Sequence, residues 1–220
     1  MTITLRPGST VMFTGDSITD CRRLESVEGL GSGYPLRVAG EWGLRHPDRA
    51  VTWLNSGIAG NKVRDLEARL QADVLEARPD VVSVLVGVND VTWHTFDPDG
   101  HVISAEDYAA GYDRLLAPLA GTGAELILIE PFLLPIGGTI EVGGMRLGAE
   151  ERKKWRASLD PKIQAVRELA HTYGAQLLAA DGLFAKLAAT TVPEHWAADG
   201  VHPTPAGHAA LAAAWLRLVE

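Results

Sequence analysis

A single cysteine, Cys21, stands in 220 residues. It excludes an internal disulfide and fits a reducing compartment. Basic residues are also scarce: 20 Lys and Arg face 28 Asp and Glu, for a net charge of −8. That balance lacks the basic stripe a phosphate backbone requires, so nucleic acid is not an expected partner. No apolar run approaches the roughly 20 residues of a spanning helix, and no membrane partner is expected. The start, Met1-Thr2-Ile3-Thr4-Leu5-Arg6-Pro7, lacks the basic head and apolar core of a secretory signal. It reads as cytoplasmic, with a signal removed beforehand left open. No internal repeat or low-complexity linker divides the chain. At this length a core can form without disulfide or metal staples, and residues 1–220 are expected to make one domain.

Strand and helix signals alternate along the chain. Thr10 to Thr14 reads as a first strand and Tyr34 to His46 as a helix ending before Pro47. Val51 to Asn55 is a second strand. A helix from about Lys62 buries Val63, Leu66, Leu70 and Val74. Pro79-Asp80 breaks the chain before the β-branched run Val81 to Val86, a central parallel strand covered on both faces. Trp93 to Val102 reads as irregular, and Ser104 with Asp107 as a capping box for a helix to about Leu119. Glu125 to Ile129 is a fourth strand. The glycine-rich stretch from Phe132 to Gly148 suggests a hairpin-like excursion beside the site or at a subunit contact, so a homo-oligomer is expected. Glu150 to Arg156 reads as helical, and Asp160-Pro161 as the start of a separate helix to Tyr173. Gln176 to Ala180 is a fifth strand, Leu183 to Ala189 a helix, and Thr204-Pro205 opens the last helix. This alternation predicts a three-layer α/β/α fold on a five-stranded parallel sheet. The flavodoxin-like strand order 2-1-3-4-5 gathers the strand ends at one switch point.

Four stretches carry chemistry. Gly15-Asp16-Ser17 ends the first strand and delivers a hydroxyl to the carboxyl edge of the sheet. A serine at its ordinary pKa needs a base, and His202 is the candidate. Asp199, three residues earlier across a short turn, can reach Nδ1 of that ring and fix its tautomer. The surroundings are not a Gly-x-Ser-x-Gly elbow, because Thr19 takes the place of the second glycine. Donors for a developing oxyanion are available from Gly60 on a tight turn, from the Asn89 side chain after the third strand, and from the backbone N–H of Ser17. Taken singly, Ser17 is a helix cap, Gly60 a turn glycine and Asn89-Asp90 another cap. Together they supply every part of an acyl-transfer site at suitable strand ends.

Gly15-Asp16-Ser17, Gly60, Gly87-x-Asn89-Asp90 and Asp199-x-x-His202 resemble, in order, the four motif blocks of the SGNH or GDSL-like hydrolases. The stretches Gly15 to Cys21, Asn61-x-Val63-Arg64-Asp65-Leu66 and Gly87 to Val91 are most similar to the intracellular acetylxylan esterase-like branch. The resemblance implies Ser17 as nucleophile, His202 as base, Asp199 as its orienting acid, and Ser17, Gly60 and Asn89 as oxyanion donors. It implies an esterase that removes small acyl groups, acetyl above all, from a carbohydrate or similar alcohol, without a cofactor. Such enzymes often carry tryptophan directly before the acid. Here Ala198 stands there, with Trp196 two residues further back.

Other readings stay beside this one. Within the same fold, a lysophospholipase, thioesterase or acyltransferase would act on longer acyl chains. A carbohydrate-binding protein with a vestigial triad would bind without turnover. Asp16, Asp20, Asp90 and Asp199 could instead gather magnesium for phosphoryl transfer; no metal site is expected, because turn and cap roles account for them. Asp16, Trp93, His94 and Trp196 are candidate substrate contacts, the two tryptophans as faces for a sugar ring. His46, His101, His171, His195 and His208 show no metal-ligand spacing and read as structural or solvated. Trp42, Trp53, Trp155 and Trp215 read as packing residues.

Overall fold

The computed structural model describes residues 2–96, 102–142 and 145–220; for Trp93, His94, Phe96, Ile140, Glu141, Val142 and Met145 only the backbone is described. Five parallel strands form the sheet: β1 (Thr10–Gly15), β2 (Thr52–Asn55), β3 (Val81–Leu85), β4 (Glu125–Ile129) and, near the end of the chain, β7 (Gln176–Leu178). Their order is β2-β1-β3-β4-β7, the 2-1-3-4-5 arrangement read from the sequence. Because side chains alternate along a strand, β1 sends Val11 and Phe13 to one face and Met12 to the other.

Each face is covered by helices. Beneath Val11 and Phe13 lie α2 (Tyr34–Arg45) and α8 (Pro205–Trp215), which bring Tyr34, Trp42 and Trp215 into an aromatic cluster. Phe13 meets Tyr34 edge-on at 5.5 Å and Trp215 at 5.4 Å between centroids. The indole of Trp215 donates to the buried Ser83 hydroxyl at 3.0 Å, satisfying the one polar side chain of the central strand. On the Met12 face, α3 (Val63–Asp73) buries Val63, Leu66 and Leu70, and α5 (Ala105–Gly121) buries Tyr108, Tyr112 and Leu115. Ser104 caps α5 as expected, accepting from the Asp107 N–H. Each fully buried aliphatic or aromatic side chain contributes roughly 1.5–3 kcal/mol, so the two layers hold the sheet firmly.

The fifth strand ends at Leu178 rather than Ala180, and the helix after it, α7 (Ala180–Ala188), begins three residues before the expected Leu183; two elements differ more deeply. A short helix α4 (Asn89–Phe96) runs through Trp93, where irregular chain is expected. The break expected at Asp160-Pro161 is absent: α6 is one helix, Ala149–Thr172. Its buried residues Trp155, Leu159, Ile163, Val166 and Ala170 keep helical spacing across Pro161, while Pro161 and Ala157 are exposed. Ala157, whose carbonyl loses its helical partner, is an exposed residue, and the continuous apolar stripe outweighs the roughly 3 kcal/mol a mid-helix proline costs. From Phe132 to Gly148 the chain does form a hairpin, β5 (Ile140–Val142) antiparallel to β6 (Met145–Leu147). Arg152 anchors it by donating to the carbonyls of Leu147, Ile136 and Gly138.

The first helix, α1 (Ser17–Asp20), is a single turn closed by Cys21 and Arg22, both with positive φ (42° and 62°). Buried His208 on α8 stitches this corner to α2. Its Nδ1 accepts the Tyr34 backbone N–H at 3.1 Å, so the proton sits on Nε2 and points to the Cys21 sulfur at 3.3 Å. Cys21 thus packs beside the first turn, as its sequence context suggests. Burial, with the charges of Arg37 and His202, pushes the His208 pKa down from 6.5 to about 4. Between these values the unfolded chain binds a proton that the folded chain excludes, so this group's contribution is full above 6.5 and is lost as pH falls through 4. In His208→Gln the difference in unfolding free energy from wild type should therefore shrink by about 3 kcal/mol between neutral pH and pH ~4. Urea unfolding of both proteins across that range checks it, the subtraction cancelling the other titrating groups.

Candidate active site

Ser17 is the first residue of α1, directly past the carboxyl end of β1. Its Oγ lies 2.9 Å from Nε2 of His202, and Nδ1 of the same ring lies 2.7 Å from Asp199 Oδ2. Asp199 is itself held, its Oδ1 accepting the backbone N–H groups of Val201 (2.9 Å) and His202 (2.7 Å). Both carboxylate oxygens are thus engaged across one tight turn. That turn needs Gly200, whose φ is +85° and where a Cβ would stand 2.9 Å from the Leu134 carbonyl. Leu134 in turn donates its N–H to the Gly200 carbonyl at 2.9 Å, tying the turn to the chain after β4.

The hydrogen bond to Asp199 raises the His202 pKa, burial opposing it. For Asp199, burial pushes the pKa up, but the hydrogen bonds and charge of His202 outweigh it and the net shift is down. Both shifts favour an imidazolium beside a carboxylate, the state a base reaches when it takes a hydroxyl proton.

Gly60 and Asn89 come to the same edge of the sheet because β2 and β3 flank β1. Gly60 has φ +83°, and its N–H donates to no protein group among the described residues. Asn89 opens α4 and gives one amide hydrogen to the Asn61 carbonyl at 3.1 Å, which leaves the second available. The Ser17 N–H, at the first position of a helix, has no intrahelical acceptor. Three donors of the kind an oxyanion requires therefore lie on loops at the carboxyl edge of β1, β2 and β3.

Several residues that hold these loops escape a reading of the motifs. Asn55 donates to the carbonyls of Thr19 (2.7 Å) and Leu30 (2.9 Å) and accepts from Gly57 N–H, locking the Ser17 turn to the loop after β2. Gly57 permits that approach, since a Cβ there would meet Asp20 N at 2.4 Å. Arg69 on α3 donates to Asn61 Oδ1 (2.7 Å), the Ser56 carbonyl (2.7 Å), Asp73 (2.7 Å) and the Gly15 carbonyl (3.3 Å). One guanidinium thus joins the ends of β1 and β2 and the loop that carries Gly60. In the sequence Arg69 is only a charged residue on the exposed side of a helix, and no spacing marks it.

The candidate substrate contacts separate. Asp16 is 1% exposed and caps α1 through Ile18 N–H, so it faces the interior and offers substrate no surface. Trp196 packs against the core formed with α2 and α8, and its indole N–H is buried without a protein partner among the described residues. Trp93 and His94 lie on α4, and their side chains fall outside the described residues, as does His101 entirely. The four aspartates do not converge: Asp16 holds Ile18, Asp20 reaches Ala59 and Arg23, Asp90 holds Val63, and Asp199 holds His202. Among the described residues no group of three His, Cys, Asp or Glu could hold a metal ion, and no helix is long and apolar enough to cross a membrane.

Residues 13–210 match the GDSL-like lipase/acylhydrolase family. An acetylxylan esterase of Geobacillus stearothermophilus is 32% identical over 219 residues, 96% of this chain and 93% of that protein. The crystal structure of that organism's acetylxylan esterase superposes with a TM-score of 0.83 at 32% identity, over 97% of this chain and 94% of the other. Two further matching structures are catalytic mutants of it, one with a histidine and one with a serine replaced by alanine. A GDSL-like lipase candidate from Parabacteroides merdae superposes with a TM-score of 0.87 at 30% identity, over 99% and 98% of the two chains. The chain therefore belongs to the GDSL-like lipase/acylhydrolase family and is a carboxylic ester hydrolase.

Proposed function

We infer that this protein, acting as one domain, hydrolyses esters of small acyl groups, acetyl above all, on a carbohydrate or similar alcohol. The observation that carries this reading is the unbroken relay Ser17 Oγ to His202 Nε2 (2.9 Å) and His202 Nδ1 to Asp199 Oδ2 (2.7 Å) at the sheet's carboxyl edge. Similarity to an acetylxylan esterase over nearly the whole chain supports the substrate class. In that relative a serine and a histidine are the residues replaced in catalytic mutants, the same pair of side chains invoked here.

Ser17 attacks the ester carbonyl as its proton moves to Nε2 of His202, and Asp199 stabilises the imidazolium that results. Negative charge develops on the carbonyl oxygen, where the N–H groups of Ser17 and Gly60 and the amide of Asn89 receive it; losing one such donor costs on the order of 3 kcal/mol in the transition state. His202 then protonates the leaving alcohol, and water deprotonated by the same ring clears the acyl-enzyme, returning the proton to Ser17. Every proton in the cycle passes through Nε2, and the scheme requires no metal or cofactor.

A second reading within the family acts on longer acyl chains. A hollow of about 540 Å³ lined mainly by apolar residues, Leu133, Leu134, Pro135 and Phe184 among them, with the Arg156–Asp181 ion pair in its wall, includes Leu134, which bonds the Gly200 turn, but neither Ser17 nor His202 lines it.

Initial rates on p-nitrophenyl acetate, butyrate and octanoate and on an acetylated xylo-oligosaccharide test the choice. Steep preference for acetate with turnover of the sugar ester supports deacetylation; preference for octanoate overturns it in favour of the second reading. Ser17→Ala should lower kcat on the order of 10⁵-fold with the thermal midpoint nearly unchanged, and full activity in that variant sinks the mechanism. Arg69→Ala should cost roughly 2–3 kcal/mol of stability, since three carbonyl or amide oxygens lose their partner. Because the loop bearing Gly60 loosens, kcat should fall on the order of tenfold or more while KM changes little, and steady-state kinetics beside thermal denaturation check both effects.

A further inference from the structure

The loop after β2 carries Gly60, and its backbone N–H groups are bonded almost without exception. Ser56 donates to the Phe13 carbonyl (2.8 Å), Gly57 to Asn55 Oδ1 (2.8 Å), Ile58 to the Gly15 carbonyl (3.1 Å) and Ala59 to Asp20 Oδ2 (3.3 Å). Asn61 donates to the Ile58 carbonyl at 3.2 Å, which closes a four-residue turn with Ala59 and Gly60 at its centre. Within residues 56–61 only the Gly60 N–H donates to no protein group among the described residues. Gly60 is the third residue of that turn, and its φ of +83° is the type II value, which favours glycine.

A type I turn differs from type II by about 150° in ψ of the second residue and about 170° in φ of the third, a half-turn of the peptide between them. Here that peptide joins Ala59 to Gly60, so the turn type decides on which side of the loop the Gly60 N–H emerges. The groups that grip the turn come from the segment of the nucleophile. Asp20 is the last residue of α1, and its Oδ2 accepts the Ala59 N–H across 39 positions of chain. Its Oδ1 accepts the Arg23 backbone N–H at 3.3 Å and lies 3.8 Å from Arg23 Nε. Arg23 Nε in turn donates to the Gly57 carbonyl at 2.6 Å. Loop and helix are in direct contact, since a Cβ at Gly57 would stand 2.4 Å from Asp20 N.

We propose that Asp20 and Arg23 are a pair of positioning residues: they lock the turn in the setting that presents the Gly60 N–H to the oxyanion, and they tie that donor to the helix of Ser17. The proposal rests on Ser17 as nucleophile and Gly60 as oxyanion donor. Neither Asp20 nor Arg23 touches substrate; both act through the peptides on the approach to Gly60.

The test compares wild type, Asp20→Asn, Arg23→Ala and Ser17→Ala, with phenyl acetate as substrate and two ketones of its shape as inhibitors. Asparagine nearly keeps the volume of Asp20 but turns one of its two acceptors into a donor, and alanine removes the bond to Gly57. The electron-poor carbonyl carbon of benzyl trifluoromethyl ketone takes Ser17 Oγ: a C–O bond forms, the hydroxyl proton passes to His202, and the carbonyl π pair becomes an oxyanion. Benzyl methyl ketone has the same outline without that tendency to add. Asp20→Asn and Arg23→Ala should each lower kcat on the order of tenfold with KM little changed. The Ki of the trifluoromethyl ketone should rise by the same factor and that of the methyl ketone stay as it is. A fall in kcat with the trifluoromethyl Ki unchanged shows only a smaller active fraction, and a loss shared by both ketones shows only a deformed pocket. Either result, or an unchanged kcat, overturns the proposal. Should Asp20→Asn not fold, Arg23→Ala carries the test, its side chain being part-exposed. If wild type binds the two ketones alike, or Ser17→Ala keeps the preference, the assignment of the site falls and the proposal with it, a failure seen before either loop variant is compared.

Discussion

Parallel pairing of β1 with β2 on one side and β3 on the other is the constraint on which the site depends. The register sets Phe13 against Asn55 and Gly15 against Leu85, so β1 and β3 end at one level and β2 two residues before it, all at the same edge of the sheet. Each then turns into a loop that carries part of the chemistry. Asn55 at the end of β2 holds Thr19 and Leu30, and Asp90 at the start of α4 holds the first N–H of α3 at 3.3 Å. The loops are therefore cross-braced by side chains that leave them, and no loop is placed by its own backbone alone. Serine esterase chemistry needs donors fixed before charge appears. Bracing of this kind provides that fixity where the chain itself is irregular.

The electrostatics of the site follow from what is buried and what is not. Asp199 stays partly exposed and receives three hydrogen bonds, so its pKa falls despite the cost of burial. Asp16 and Asp90 are nearly enclosed and accept backbone N–H groups only, and burial lifts both to about 7. The three carboxyls thus divide into one held below the usual carboxylate range and two lifted by burial to about 7. Both raised groups lower stability as pH climbs from 3.8 through 7, because the unfolded chain gives up those protons first. His208 works in the opposite sense over nearly the same range. The structure around Ser17 is in this way assembled from groups whose pH costs oppose each other.

The sheet was legible because the strands that build it are the simplest signals in the chain. β3 is a buried β-branched run with proline before it, and β1 alternates between two apolar layers. What resisted was decided by packing at a distance. Proline at 161 reads locally as a helix start, yet the side chains on either side of it bury the same stripe, and tertiary contact overrides the local preference. Ser17, Asp199 and His202, which the fold brings within hydrogen-bond reach of one another, were legible as a candidate set because each role in acyl transfer allows few residue types. The residues that hold them were not. Arg69 and Asn55 act through backbone carbonyls, and carbonyls leave no trace in a sequence.

Asp16 was a candidate for substrate contact because it stands beside the serine, but adjacency along a chain says little about which way a side chain turns. Asp16 is the cap of α1, and its side chain turns back onto the Ile18 N–H, whereas Ser17, the first helical residue, meets His202. Burial beside a reactive group is itself informative. An acid kept from water next to a base will sense that base's charge more strongly than an exposed acid at equal distance, because solvent no longer screens the two.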